Sequence, residues 1–117
     1  MARTSLPVTA LAANANIAKP AGTAVDTVNG HTIPANGKSQ NLVIEVNNTN
    51  ASPRVVTIKA GANPPAFRSV ADLAVSVPAS SVHIISLLES AAYIQADGSV
   101  WIDEETGMTG TLIAYQF

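Results

Sequence analysis

The chain has 117 residues, no cysteine, a formal net charge of −2 and only 12% charged residues. This length fits one domain, the lack of cysteine excludes disulfides and thiolate zinc sites, and no apolar run approaches the ~20 residues that cross a bilayer. The six basic residues are scattered, so we expect no nucleic-acid partner, and the low charge indicates either a surface facing other proteins or one kept soluble by Ser, Thr and Asn.

Residues 1–22 are rich in Ala, Asn and Pro and show no sustained period. We predict an extended N-terminal arm with one short strand near Leu6 to Leu11; the alternative is a frayed terminus. The apolar stretch is short and interrupted, so we expect no secretory signal. An extended arm can add a strand to a neighbour's sheet edge, which makes Leu6, Pro7 and Val8 candidate interface residues.

Residues 23–117 read as one strand after another, separated by turns. Asn29-Gly30 lies between "TAVDTV" and "HTI" and predicts a two-residue hairpin. The runs "LVIEV", "RVVTI" and "LAVSV" alternate, so that alternate residues of each run share one face. The continuous run "SVHIISLL" is typical of a strand buried on both sides.

The last two strand signals carry apolar residues on both faces. They are the predicted hairpin around Asp97-Gly98 and the closing run "TLIAYQF". A sandwich strand needs only one apolar face, so we expect the second face to be covered by the arm, by a neighbouring subunit or by a long loop.

About eight or nine short strands at this spacing predict an all-β fold. We expect a two-sheet β-sandwich of jelly-roll or Greek-key type over residues 23–117, with the extended N-terminal arm over residues 1–22.

The residues show no pattern of catalytic or metal-binding chemistry. His31 and His83 stand far apart without further ligands at zinc spacing. The acidic run Asp103-Glu104-Glu105 is interpreted as a solvated turn. Nucleophile-elbow and phosphate-loop motifs are absent from the sequence. We therefore expect no enzyme activity, no cofactor and no metal site.

A proline-rich loop is the clearest contact element in the sequence. Pro64 and Pro65 stiffen it before binding, which lowers the ordering cost, and Phe67 and Arg68 belong to the residue types enriched at interfaces. The alternative is that Phe67 folds back as a lid over the sandwich. Trp101 is the remaining interface candidate.

Several segments together resemble a known family. "KPAGTAVDTVNGHTI", "KAGANPPAFR" and "LESAAYIQADGS" are similar to small proteins of tailed phages of actinobacteria that resemble capsid decoration proteins, also called cement or minor head proteins. The resemblance implies a β-sandwich, often a homotrimer, made in the host cytoplasm. It implies binding to the major capsid protein on the outside of the virion shell, which it stabilises. It carries over no catalytic residue.

Two other functions remain open at this stage. An adhesion or head-fibre module would bind a receptor or glycan through exposed aromatic residues, whereas a tail or neck component would be a structural part of the same virion. For a decoration protein, we expect deletion of residues 1–20 to weaken shell binding more than it destabilises the fold.

Overall fold

The computed structural model describes residues 3–12, 14–34, 40–61, 72–89, 93, 95 and 99–116. In this part of the chain ten strands form two mixed sheets, whose apolar inner faces pack together around one core. The prediction of an all-β, two-sheet sandwich is therefore confirmed.

Each sheet contains five strands. The first has the order β1 (Thr4–Ser5), β4 (His31–Ile33), β9 (Val100–Glu104), β6 (Arg54–Ile58) and β7 (Leu73–Val77). The second has the order β2 (Val8–Ala10), β10 (Gly110–Gln116), β5 (Gln40–Asn48) and β8 (Ser81–Glu89), and β3 (Thr23–Ala24) pairs with β10 beside β2.

The core follows from the period of two in the central strands. Leu42, Ile44 and Val46 of β5 point inward and are buried, as are Val56 and Ile58 of β6. These positions are those that the alternation predicts, because successive side chains of a strand point to opposite faces. The apolar residues of β7 pack against the same core, so this part of the prediction is also confirmed.

The N-terminal residues join the two sheets. β1 pairs parallel with β4, and β2 pairs parallel with β10. At the corner between them the Leu6 amide donates to the Thr32 carbonyl at 2.9 Å, and the Leu6 side chain is 1% exposed within the core. Leu6 is therefore a core residue that presents no surface to a partner. Deletion of residues 1–20 would remove two strands and this core leucine, so the expectation that it largely spares the fold is revised.

The chain then returns along the outer face of β10. Residues 14–19 are exposed, and residues 20–23 lie beside Ile113, which points outward and yet is only 5% exposed. The N-terminal region thus covers the outer apolar face of the last strand, as one of the three expected arrangements proposed.

The hairpin predicted at Asn29-Gly30 is wrong. β3 lies in the second sheet and β4 in the first, so the flanking strands do not pair. Instead, the Asp26 carboxylate accepts hydrogen bonds from the backbone amides of Val28 and Asn29, at 3.1 and 3.0 Å, and holds a turn that carries the chain between sheets. Gly30 has φ +68°, and a Cβ there would lie 2.8 Å from the Ile102 carbonyl.

A buried asparagine links two connections at one end of the sandwich. Asn48 is fully buried at the end of β5. Its Nδ2 lies 3.1–3.2 Å from the carbonyl oxygens of Ser52, Val77 and Pro78, and its Oδ1 accepts from the Asn50 amide at 3.0 Å. One side chain therefore satisfies backbone groups that would otherwise be unpaired at the chain reversals.

Candidate protein interface

The strand β8 lies at the edge of the second sheet and is nine residues long. It pairs antiparallel with β5 on one side, and no strand within the described residues pairs with its other side. The sequence predicted a strand buried on both faces, and this is wrong. Ile85 packs inward, but Val82 and Ile84 point outward and are 49% and 67% exposed.

The exposed side chains form one continuous strip. Val82, Ile84 and Ser86 occupy alternate positions on the outer face. We call these three residues, with the backbone edge of β8 that pairs with no described strand, the β8 edge surface. In the register with β5, Ile84 lies opposite Glu45. Lys19 Nζ is 2.9 Å from the carboxylate of Glu45, so the charge nearest the strip is compensated within the same chain.

Exposed strand edges are normally protected against pairing with other chains. Common devices are short edge strands and inward-pointing or edge-placed charges, lysine and proline in particular. At the other edges β1, β2 and β3 have only two or three residues each, and β7 exposes the small residues Ala74 and Ser76. The run Ser81–Glu89 contains no Lys, Arg or Pro. The β8 edge surface therefore has the features of a site at which another chain adds a strand.

Trp101 lies on the outer face of the other sheet, partly covered by the N-terminal residues. The Arg3 guanidinium lies 4.6 Å from the centroid of its ring, a cation–π distance. Arg3 Nη1 also donates to Asp103 Oδ1 at 2.6 Å and to the Ile102 carbonyl at 3.2 Å. These contacts bind the N-terminus to β9, so the Trp101 ring is engaged within the chain.

The other predicted contact residues divide into two groups. In the N-terminal segment Pro7 is exposed at the corner between β1 and β2, whereas Val8 is partly buried against the core. The proline-loop candidates Pro64, Pro65, Phe67 and Arg68 lie outside the described residues. The structure does not bring Pro7 and Trp101 into the β8 edge surface, because they belong to the opposite side and the opposite sheet.

A buried ion pair replaces the solvated acidic turn that the sequence predicted at Glu104. The side chains of His31 and Glu104 are fully buried, and His31 Nδ1 bonds to Glu104 Oε1. His31 Nε2 bonds to the Ala24 carbonyl at 3.2 Å. Burial alone would lower the pKa of His31, but the hydrogen bond and charge of Glu104, with the Ala24 contact, raise that pKa above its ordinary value of 6.5. Both ring nitrogens are thus hydrogen-bonded, and these contacts tie β3 to β4 and β9.

Sequence reasoning missed both features for different reasons. Glu104 has the same parity as Ile102, so the alternation in β9 already placed it on the inner face. The position of β8 at a sheet edge has no comparable signal, because an apolar run looks the same in a central strand and at an exposed edge.

The described residues contain no group of three or more His, Asp or Glu that could hold a metal ion. A groove of about 190 Å³ lies between the N-terminal residues and β10. Its lining comprises Leu6, Pro7, Thr9, Pro20, Ala21, Gly22, Thr23, Leu112 and Ile113. None of these side chains can transfer a proton near neutral pH.

No helix within the described ranges is both long and apolar enough to span a bilayer. We compared the chain with protein families, with curated proteins and with solved structures, and none of the three comparisons gives a match.

Proposed function

We propose that this protein is a structural component of a phage virion. It binds the outer surface of the shell formed by the major capsid protein and stabilises that shell without catalysis. The observation that carries the proposal is the β8 edge surface, because a long strand edge that no described strand pairs with, and that exposes aliphatic side chains, marks this small β-sandwich as a protein that works by contact with other protein chains. The resemblance of the sequence to decoration proteins is the reason for proposing the major capsid protein as the partner.

The dimensions of the domain suit this role. It measures 41 × 36 × 25 Å, and its two sheets share one core, so it can act as a rigid block. A single contact of such a block with a shell can be weak. The resemblance implies a trimer, but an oligomer of any size, a pair included, engages several sites together and gains affinity through effective concentration.

Co-sedimentation with shells that lack the protein tests this function directly. We expect saturable binding of the purified protein, and we expect shells already saturated with it to bind no more. Bound shells should also resist disruption by heat or denaturant better than bare shells. Protein that remains in the supernatant at about 10 µM, well above the Kd of a specific contact, would contradict the proposal.

Binding to tails or connectors tests the tail or neck function, and the aromatic contacts bear on glycan binding. A tail or neck component would bind purified tails or connectors in place of shells. A glycan-binding module would need an open aromatic platform, yet the Trp101 ring is covered by Arg3 on one face and Tyr93 packs against the core. These two contacts favour the structural function over glycan binding.

A further inference from the structure

We infer that the β8 edge surface pairs with β8 of a second copy of this chain. The two strands run antiparallel about a two-fold axis near Ile84, and the second sheets of both copies become one continuous sheet. This inference names a partner for the proposed contact surface, and it rests on the proposed function only in taking that surface to bind protein.

The first reason is the state of the backbone. In an edge strand the N–H and C=O groups of alternate residues point away from the sheet, and the nine residues of β8 extend over about 30 Å. With the axis near Ile84, residues 81–87 of the two copies face each other and would satisfy these groups in a regular ladder.

The second reason is charge. Within Ser81–Glu89 the only formal charge belongs to Glu89, at the end of the strand. Antiparallel pairing about Ile84 places the two Glu89 residues about 34 Å apart along the sheet, whereas parallel pairing would place them side by side. The nearby Glu45 is neutralised by Lys19. Two copies therefore approach each other without like-charge repulsion.

The third reason is the self-complementary side-chain order. With the axis near Ile84, the Ile84 residues of the two copies lie opposite each other, and Val82 of each copy lies opposite Ser86 of the other. Residues directly opposite across strands have Cβ atoms about 4.5–5.5 Å apart. The two isoleucines therefore bury each other, and the small serine leaves room for the valine.

The other exposed large apolar residues do not form a comparable strip. Among the described residues they are Leu11, Ile17 and Val28, which lie in connections and a turn outside the strands. A general tendency to associate would use these positions as readily as β8. Ordered strand pairing would use only β8, and this difference supplies matched controls.

Native mass tests the contact in the absence of shells. We expect the native protein to contain an even number of copies, with two copies as the smallest unit, where one chain has a mass of 12.0 kDa. Ile84→Lys places two ammonium groups face to face, so it should raise the Kd of self-association at least about tenfold. Ile17→Lys introduces the same side chain at an exposed position outside the strands and should leave that Kd unchanged. Both variants should unfold at the same urea concentration when monomeric.

Crosslinking gives a second measurement that does not depend on a loss of binding. The chain contains no cysteine, so Ile84→Cys introduces a single thiol. In the proposed pair two such thiols meet at a Cα separation of about 4.5–5.5 Å, within the range for disulfides. Mild oxidation at low micromolar concentration should therefore convert Ile84→Cys to a covalent dimer, while Ile17→Cys stays monomeric.

Three outcomes would overturn the inference. One is a monomeric native protein at about 100 µM. Another is an oligomer whose mass Ile84→Lys does not change, which includes a purely three-fold assembly. The third is equal crosslinking of both cysteine variants. Because shell binding is measured separately by co-sedimentation, loss of self-pairing alone leaves the proposed function standing. Ile84→Lys protein of native mass that no longer binds shells would instead assign the surface to a strand of the shell protein.

Discussion

Replacement of Leu6 by alanine tests whether the N-terminal residues are part of the folded core. The Leu6 side chain is 1% exposed, and the substitution removes three carbon atoms from it. Their transfer to water costs about 2.4 kcal/mol at roughly 0.8 kcal/mol per carbon, and the space left behind adds a further term. The groove beside Leu6 admits solvent and limits that term. We therefore expect the free energy of unfolding to fall by about 3 kcal/mol.

Urea unfolding followed through the fluorescence of Trp101, the only tryptophan, measures this loss. Leu11→Ala is the matched control, because it makes the same substitution in the same segment at a side chain that is 37% exposed. A partly exposed leucine should cost about 1 kcal/mol or less. The dependence of the free energy on urea should be the same in both variants, since it follows the area exposed on unfolding.

The opposite outcome for Leu6→Ala would refute this reasoning. If Leu6→Ala costs no more than Leu11→Ala, Leu6 is not part of the core, and the N-terminal region is a separable arm. A loss of about 3 kcal/mol is a large share of the stability of a domain this size, which is typically 5–15 kcal/mol. If the expected loss is found, a protein that lacks residues 1–20 would fail to bind shells because it is unfolded. Such a truncation would then give no information about the contact with the shell.

Three further substitutions test the polar interior by the same unfolding assay. Asn48→Asp replaces an amide donor by a carboxylate among three carbonyl oxygens and should cost about 3 kcal/mol or more, whereas the outward-facing Asn47→Asp should cost less than about 1 kcal/mol. Gly110 has φ +135°, and a Cβ there would lie 1.8 Å from the Asn47 carbonyl oxygen, so Gly110→Ala should cost at least about 3 kcal/mol; a native midpoint for this variant would contradict the packing. The pKa of His31 is raised above 6.5 in the folded protein, so its stabilising effect is complete below pH 6.5 and is lost as the pH rises through the folded value. The urea midpoint should therefore fall as the pH rises above 6.5, and His31→Gln should flatten the decline; the same slope in both proteins would refute this assignment.

The strands β5 and β6 could be predicted residue by residue because each has one face in the core. A period of two then fixes which side chains are buried, as Ile44 and Ile58 show. The same rule would have placed Glu104 on the inner face. However, acidic residues followed by a Thr-Gly pair are residue types typical of a turn. The prediction gave these residue types more weight than the alternation of inward and outward positions along β9.

The order of strands in the sheets could not be predicted in this way. Asn29-Gly30 indicates where the chain reverses, but it does not determine whether the flanking strands pair with each other. The parallel pairing of β1 with β4 and of β2 with β10 joins residues that are distant in sequence. The strands β1 and β2 are too short, and their segment too rich in Ala and Asn, to show a sequence period that would predict this pairing.

The two lateral sides of the sandwich explain why we place the contact between copies at β8 and not at the N-terminus. On one side the edge strands β1 and β2 are too short to offer a long backbone edge. The Leu6 side chain is buried at the corner between them, and Arg3 binds the N-terminal residues to β9. A segment engaged by these contacts would have to leave its own core before it could add a strand elsewhere, and that cost opposes exchange between copies. On the other side β8 has nine residues, exposes Val82 and Ile84 and pairs with no other described strand along its outer edge. A strand added at β8 gains backbone hydrogen bonds and breaks no strand pairing among the described residues, so association there is favoured over exchange of the N-terminal residues.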